Sequence, residues 1–320
     1  MSALPSAIIA LGALGGLAIG FSWAFARWWC TPRRNRHTAT PAGHGLPFES
    51  VQFSSEGVPI RGWFMPAPSD FPPPAAIVLA HGWSGTASDL LPQARLLREA
   101  GFAVLAYDAR GHGSSGEDGP ITILKLARDI VAAVHYVGAR PDVDERRVGV
   151  LGQSIGGGAA ILAASVEPRI GAVVSCSAFA DPDALTRGVM RRMHIPRTPF
   201  GWLVVRFIER WLATTMADVA PANRVALMAA PLLLVHGASD RFISPSDMEA
   251  LYARSRGERT ERMLVPSRGH ASAIEDPECQ RTILGFFSRN LSHPAPRDID
   301  FERALTAAFG SLFRQLGACC

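Results

Sequence analysis

A serine flanked by glycines stands where a buried strand is predicted to end and a helix to begin, and this junction restricts the fold more than any other feature. The segment Gly152-Gln153-Ser154-Ile155-Gly156 follows the apolar run 148–151 and precedes the alanine-rich run 159–164. Glycines two residues to either side of the serine let the crowded backbones pass. The turn would place the Ser154 hydroxyl at a helix N-terminus, where developing negative charge is favourable. The junction therefore predicts a nucleophile.

Short apolar runs alternate with helical patterns along the middle of the chain. Strands that are apolar throughout are typical of a parallel sheet covered on both faces. Two antiparallel strands are predicted at 49–53 and 59–64, and six further strands follow at 76–80, 102–107, 147–151, 172–176, 232–235 and 262–265. The pattern predicts a mostly parallel, doubly wound α/β domain over about residues 47–292.

One long interval interrupts this alternation. About 55 residues separate the strand ending near Cys176 from the strand beginning at Leu232, far more than one helix and its loops require. Its large apolar side chains are Met190, Met193, Phe200, Trp202, Phe207 and Trp211. The interval predicts an inserted helical cap, about residues 181–224, over the carboxyl edge of the sheet.

Two polar residues follow the last two predicted strands. Asp240 comes just after strand 232–235, and His270 comes just after strand 262–265. Taken alone, Asp240 could be a turn or capping residue and His270 a surface histidine. The carboxyl ends of parallel strands meet at one edge, so both side chains are expected beside the serine, in the chain order nucleophile, acid, histidine. The sequence predicts a catalytic triad of Ser154, Asp240 and His270.

Backbone N–H groups close to the nucleophile would stabilise an oxyanion. Ile155 follows the serine directly, and His81-Gly82-Trp83 follows strand 76–80. We expect the N–H groups of Trp83 and Ile155 to form the oxyanion hole. The His81 side chain is expected to brace the loop, and the Trp83 indole either walls an acyl pocket or packs as an ordinary aromatic.

These segments resemble the α/β-hydrolase superfamily, and they are similar to its monoacylglycerol-lipase, serine-aminopeptidase and acyl-protein-thioesterase-like branch. The resemblance covers about residues 48–290 and lies in His81-Gly82-Trp83-Ser84-Gly85, Asp108-Ala109-Arg110-Gly111-His112-Gly113-Ser114-Ser115, Gly152-Gln153-Ser154-Ile155-Gly156 and His236-Gly237-Ala238-Ser239-Asp240. It implies the α/β-hydrolase fold, the same triad and the same oxyanion donors. One departure is Arg268, where small residues are more usual; a bulky cation there would act on the leaving-group side.

The first 30 residues form a separate predicted unit. The chain has no charged side chain from Met1 to Ala26, and the apolar run 7–25 is about 28 Å long as a helix, close to the hydrocarbon thickness of a bilayer. Arginines follow from Arg27 onward and favour keeping that side in the cytoplasm. We predict a single-pass transmembrane anchor over residues 1–30 with a cytoplasmic catalytic domain. A signal peptide cleaved after Ala24-Phe25-Ala26, giving a secreted or periplasmic protein, is the alternative.

Three further predictions concern the ends of the chain. Gly12, Gly16 and Gly20 are spaced four apart and would let two anchors pack as a homodimer, although a glycine-rich anchor also produces this spacing by chance. Residues 31–46 are predicted to be a linker. Residues 293–320 are predicted to form an amphipathic helix that packs on the domain or lies on the membrane.

The sequence points to no cofactor. It contains no metal-ligand cluster, Walker loop or RNA-binding signature, so we predict no metal and no nucleic-acid partner. The run 111–116 matches G-x-G-x-x-G, but no acidic residue ends the next strand as a dinucleotide site requires. The net charge of +4 permits weak attraction to acidic surfaces.

The leading hypothesis is a membrane-anchored serine hydrolase that cleaves carboxylic esters or thioesters of a small-molecule, lipid or acylated substrate. An apolar cap next to a bilayer favours an acyl chain, and its arginines could contact anionic headgroups. One alternative is an aminopeptidase-like serine peptidase, in which Asp181 and Asp183 capture an α-amine. The other is a non-catalytic membrane-anchored scaffold, against which an intact triad argues.

Overall fold

The computed structural model describes residues 3–69 and 72–292, with side chains from residue 12 onward.

Eight strands form the central sheet of the described residues. They are β1 Glu49–Ser55, β2 Val58–Met65, β3 Ala76–Ala80, β4 Ala103–Asp108, β5 Val148–Gln153, β6 Ile170–Cys176, β7 Leu232–Gly237 and β8 Thr260–Val265. They form one eight-stranded sheet in the order β1-β2-β4-β3-β5-β6-β7-β8. β2 pairs antiparallel with β1 and β4, and the other neighbours are parallel. The predicted mostly parallel sheet is confirmed, and each strand begins and ends within two residues of its predicted limits.

Helices cover both faces of this sheet. They are α2 Leu91–Glu99, α3 Ile123–Gly138, α4 Ile155–Ala164, α8 Pro245–Arg254 and α9 Pro277–Asn290. α3, α4 and α8 pack in one hydrophobic core, and α2 and α9 pack in the other. With two covered faces, each inner parallel strand must be apolar on both sides, which explains the continuous apolar runs in the sequence, whereas the edge strand β8 exposes Glu261 and Arg262.

Three helices fill the long interval between β6 and β7. They are α5 Pro182–Arg192, α6 Trp202–Leu212 and α7 Pro221–Arg224. α6 is amphipathic: Val204, Ile208 and Leu212 are buried, whereas Trp202 and Arg206 are exposed. These three helices occupy the interval that was predicted to form the cap.

An N-terminal helix, α1, spans Ala3–Trp29. Over the described residues, no helix combines the length and the apolarity needed to cross a bilayer, so the predicted transmembrane span is not confirmed. The C-terminal end of α1 contacts the cap: Phe25 and Ala26 are buried, and the Phe21 ring lies 5.6 Å from the ring of Phe200. Ser22 Oγ also lies 3.3 Å from the Phe200 carbonyl oxygen. One side of this end of the helix thus packs against protein, while Trp23 and Trp28 remain exposed.

The segment between α1 and β1 follows the domain surface. Residues 31–38 lie against the loops after β3 and β4, although the proline and glycine content of residues 31–46 predicted a linker. The fixing contacts come from single polar side chains, which composition does not reveal. The predicted C-terminal helix at residues 293–320 lies outside the described residues.

Candidate active site

Ser154 stands in a strained turn between β5 and α4. Its backbone has φ 56° and ψ −121°, a conformation that non-glycine residues rarely adopt. A Cβ on Gly152 would overlap with the Gly156 carbonyl, and a Cβ on Gly156 would overlap with the Ala80 carbonyl. The two glycines are therefore required by backbone crowding, as the sequence pattern indicated. The Ser154 N–H donates to the Cys176 carbonyl at 2.8 Å, which fixes the turn to β6.

The three side chains of the predicted triad lie in one chain of hydrogen bonds. His270 Nε2 is 2.9 Å from Ser154 Oγ, and His270 Nδ1 is 2.7 Å from Asp240 Oδ2. A carboxylate accepts, so Nδ1 carries the proton and Nε2 is left to accept from the serine hydroxyl. This geometry can transfer the hydroxyl proton to the imidazole.

Asp240 is held rigidly by its own loop. Its Oδ1 accepts from Phe242 N at 2.9 Å and from Ile243 N at 3.0 Å, which leaves Oδ2 facing the His270 ring. The side chain is buried, whereas the His270 side chain is 26% exposed. A Cβ on Gly237 would overlap with the Arg268 carbonyl, so glycine is needed where the two loops approach.

A second histidine contacts the same carboxylate, although the sequence pattern predicted no role for it. His236 is buried, with Nε2 3.1 Å from the Ile243 carbonyl oxygen and 3.3 Å from Asp240 Oδ2. Its Nε2–H can donate to both oxygens and so orients the loop that carries the acid. Its position at the end of β7, four residues before Asp240, is the sequence signal that points to it.

The residues predicted to supply the oxyanion donors lie close to the serine. Ile155 is the first residue of α4, where backbone N–H groups have no partner within the helix. A Cβ on Gly82 would lie 3.4 Å from Ser154 Cβ, so the loop after β3 approaches the serine closely. Trp83 and Ile155 line the same cleft as Ser154.

His81 braces this loop, as predicted from the sequence. It is buried, its Nδ1 donates to the Gly82 carbonyl at 2.8 Å, and its Nε2 accepts from Ala109 N at 3.0 Å. Burial lowers the pKa of His81 and keeps the ring neutral, as these two hydrogen bonds require. The ring joins the loop after β3 to the loop after β4.

Asp108 anchors the second of these loops. It accepts from Ala87 N and Ser114 N, each at 2.8 Å, and lies 2.8 Å from His37 Nε2. Burial by itself would raise the pKa of Asp108, but the backbone hydrogen bonds and the charge of His37 outweigh it and hold the pKa below its ordinary value. His37 is a further residue without a predicted role, since it lies 71 positions from its partner.

An apolar cleft of about 150 Å³ opens at Ser154. The sheet edge, the cap and the end of α1 all contribute to its lining, which includes Trp29, Cys30, Trp83, Ile121, Phe179, Leu185, Ile208, Leu212, Met216 and Phe242. No carboxylate is among the described residues that line it. Such a cleft suits an acyl chain better than a charged amine.

The remaining predicted polar residues have structural partners. Asp181 caps α5 by accepting from Asp183 N at 2.8 Å, and Asp183 Oδ2 accepts from Arg187 Nε at 2.7 Å. Arg268 Nε lies 3.4 Å from Asp276 Oδ2. Within residues 3–69 and 72–292, no group of three or more His, Cys, Asp or Glu side chains is placed to hold a metal ion.

Known proteins resemble this chain in sequence and in fold. The serine aminopeptidase S33 family matches residues 72–225. An uncharacterized 31.7 kDa protein of Escherichia coli, from the traX-finO intergenic region, is 39% identical over 116 residues, which span 36% of this chain and only 41% of that protein. An uncharacterized protein of Mycobacterium tuberculosis is 30% identical over 302 residues, or 92% of this chain and 96% of its own length.

A solved structure of similar fold is the esterase Pf2001 of Pyrococcus furiosus. It superposes with a TM-score of 0.67 at 23% identity and covers 82% of this chain and 98% of its own. At that identity the likeness concerns the fold.

Proposed function

The chain belongs to the α/β-hydrolase superfamily, and on this premise we propose that it is a serine hydrolase of carboxylic esters or thioesters. The observation that carries the proposal is the hydrogen-bonded chain Ser154–His270–Asp240 opening into an apolar cleft. Neither half suffices alone, because the nucleophile needs a base and the substrate needs a pocket.

The chemistry follows from this arrangement. His270 Nε2 takes the hydroxyl proton as Ser154 Oγ attacks the substrate carbonyl carbon, and the N–H groups of Trp83 and Ile155 stabilise the oxyanion. The tetrahedral intermediate collapses, and the leaving alkoxide or thiolate takes the proton from His270. Water, deprotonated by the same ring, then attacks the acyl carbon; the bond from Ser154 Oγ to that carbon breaks, Oγ takes the proton back from His270, and the carboxylic acid is released. Asp240 keeps the imidazole in the required tautomer and offsets its transient charge.

The cleft favours an acyl ester over a peptide. A peptidase that removes N-terminal residues needs an anion for the α-amine, and the two candidates, Asp181 and Asp183, are engaged with α5 and Arg187. Neither lines the cleft at Ser154. The aminopeptidase alternative therefore has no amine site among the described residues that line the cleft.

We expect the full chain to hydrolyse p-nitrophenyl esters with kcat/KM rising from acetate toward medium-chain acids. Each methylene that enters the cleft contributes about 0.8 kcal/mol, or about fourfold in kcat/KM, until the cleft is filled. Initial rates on esters from C2 to C16 and on an aminoacyl p-nitroanilide measure this. Turnover of the anilide alone would support the peptidase, and no turnover together with no fluorophosphonate labelling would support the scaffold.

We further propose that α1 attaches the protein to a membrane, with the catalytic domain on the cytoplasmic side. The described part of α1 exposes large apolar side chains, including Leu17 at 70% and Trp28 at 57%. Met193 and Ile195 of the cap line an apolar groove together with Phe21 and Trp28 of α1, so helix and cap present one surface. A Cβ built on Gly12, Gly16 or Gly20 would meet no atom of another described segment within 4 Å, which leaves that face of the helix open to a second copy.

Charge reversal on the cap tests this attachment. Arg191 and Arg192 are exposed at the end of α5, near the groove residue Met193. We expect Arg191→Glu with Arg192→Glu to weaken binding to phosphatidylglycerol vesicles at least about tenfold, since each cation near an anionic surface contributes about 1 kcal/mol. Cosedimentation measures this binding.

A matched control places the same charge change elsewhere. Arg95 on α2 and Arg281 on α9 are exposed on helices that pack in the other hydrophobic core. Arg95→Glu with Arg281→Glu should leave vesicle binding close to wild type. Equal loss in both double variants would mean that net charge, and not the cap surface, controls binding.

A further inference from the structure

Residues 29–38, the N-terminal strap, are fixed to the loops after β3 and β4. The Cys30 carbonyl accepts from Ile121 N at 2.7 Å. Arg33 N donates to Ser84 Oγ at 2.9 Å, and Asn35 Nδ2 donates to the Ser84 carbonyl at 2.8 Å. Further along, His37 lies 2.8 Å from the buried Asp108 carboxylate. Several contacts along a short segment fix its path over the domain.

The first two residues of the strap are part of the cleft. Trp29 and Cys30 line the same apolar space as Ser154. Cys30 is only 5% exposed and belongs to the hydrophobic core, and Trp29 packs against that core. The hydrogen bond from Ile121 N to the Cys30 carbonyl joins two segments that both line the cleft. The strap thus forms one wall of the cleft, in addition to the walls formed by the sheet edge and the cap.

The strap also reaches the loop that carries a proposed oxyanion donor. Ser84 directly follows Trp83 and has a positive φ of 58°, an uncommon backbone conformation for serine. Its hydroxyl and its carbonyl oxygen both accept from the strap. Displacement of the strap would therefore disturb the loop beside Ser154 as well as open the cleft.

We propose that the N-terminal strap sets the acyl-chain specificity of the cleft, with Trp29 and Cys30 as its specificity-determining residues. The inference rests on the proposed hydrolase function and deepens it. A larger side chain at Cys30 takes up room that an acyl chain would occupy, and a smaller one at Trp29 enlarges that room. The two substitutions therefore shift the chain-length optimum in opposite directions.

The test compares variants of the full chain on p-nitrophenyl esters from C2 to C16. We expect Cys30→Phe to reduce kcat/KM at the wild-type optimum at least about tenfold more than it reduces kcat/KM for acetate, and to shorten the optimum. The loss corresponds to the exclusion of about two methylenes, each worth about fourfold. Trp29→Ala should lengthen the optimum.

Trp28 and Arg36 provide two matched controls for the substitutions at Trp29 and Cys30. Trp28 is the neighbouring indole, lies outside the cleft lining and is exposed, so Trp28→Ala should keep the wild-type profile. Arg36 is an exposed strap residue, so Arg36→Ala should keep it too. Where Cys30→Phe does not fold, as judged by its thermal melt, Cys30→Leu and Trp29→Ala provide the test.

The outcomes separate this proposal from the hydrolase function. Wild-type chain-length profiles in Cys30→Phe and Trp29→Ala, with turnover that still depends on Ser154, would overturn the role of the strap alone. If no ester is hydrolysed, the hydrolase proposal fails, and binding of a fluorescent C12 fatty acid then tests whether the strap forms part of the acyl-chain cleft. Weaker binding to Cys30→Phe than to Trp28→Ala would support that role of the strap, and equal binding to the two variants would overturn it.

Discussion

Replacing Ser154 with alanine is expected to reduce ester turnover by about 10⁴- to 10⁶-fold, the range seen when a serine nucleophile is removed from a triad. The hydroxyl of Ser154 is the atom that His270 Nε2 faces at 2.9 Å, and it opens into the cleft. Without it, no acyl-enzyme forms, and the residual rate comes from binding and oxyanion stabilisation alone.

The measurement combines turnover of the best p-nitrophenyl ester with labelling by a fluorophosphonate, and both should vanish in Ser154→Ala. Ser165 provides the matched control, because it ends the same helix, α4, and donates its hydroxyl to the Leu162 carbonyl. Ser165→Ala should retain activity within a few-fold. More than about 1% activity in a folded Ser154→Ala protein would assign the nucleophile to another residue.

The sheet was predictable from the sequence because its signals are local. Each buried parallel strand must be apolar on both faces, so β5 and β7 stand out as short apolar runs without any knowledge of their neighbours. The placement of Ser154, Asp240 and His270 follows from one topological rule, that carboxyl ends of parallel strands share an edge. Their hydrogen-bond contact is what that rule implies.

The strap was not predictable, because its contacts join residues far apart in the chain. His37 and Asp108 are separated by 71 positions, and Asn35 and Ser84 by 49. No sequence pattern within residues 31–46 identifies Asp108 and Ser84 as the residues that this segment contacts. The prediction of a linker rested on proline and glycine content alone. The apolar pattern of α1 is ambiguous for a related reason: side chains such as Phe25, which is buried here, look alike in the sequence whether lipid or protein covers them.

Replacing Asp240 with asparagine is expected to reduce kcat by about 10⁴-fold at neutral pH, although the two side chains have the same shape. Asp240 Oδ1 accepts from Phe242 N and Ile243 N, so the amide oxygen of an asparagine must take that position. The amide nitrogen then replaces Oδ2 and points its hydrogens at His270 Nδ1. The opposite orientation would place two backbone donors against an N–H₂ group, which leaves them unsatisfied in a buried loop.

A donor facing Nδ1 forces the imidazole into the other tautomer, with its proton on Nε2 toward Ser154. That ring cannot accept the hydroxyl proton, so the nucleophile is present but inactive. Nitrogen-15 NMR of the His270 ring measures which tautomer is present. We expect the proton on Nδ1 in the wild type and on Nε2 in Asp240→Asn.

The control is Asp247→Asn, since Asp247 Oδ1 accepts from Ala180 N and the oxygen of an amide can accept the same hydrogen bond. Activity of Asp240→Asn within about tenfold of the wild type would mean that another group orients His270, and His236, 3.3 Å from the same carboxylate, would be the next residue to replace.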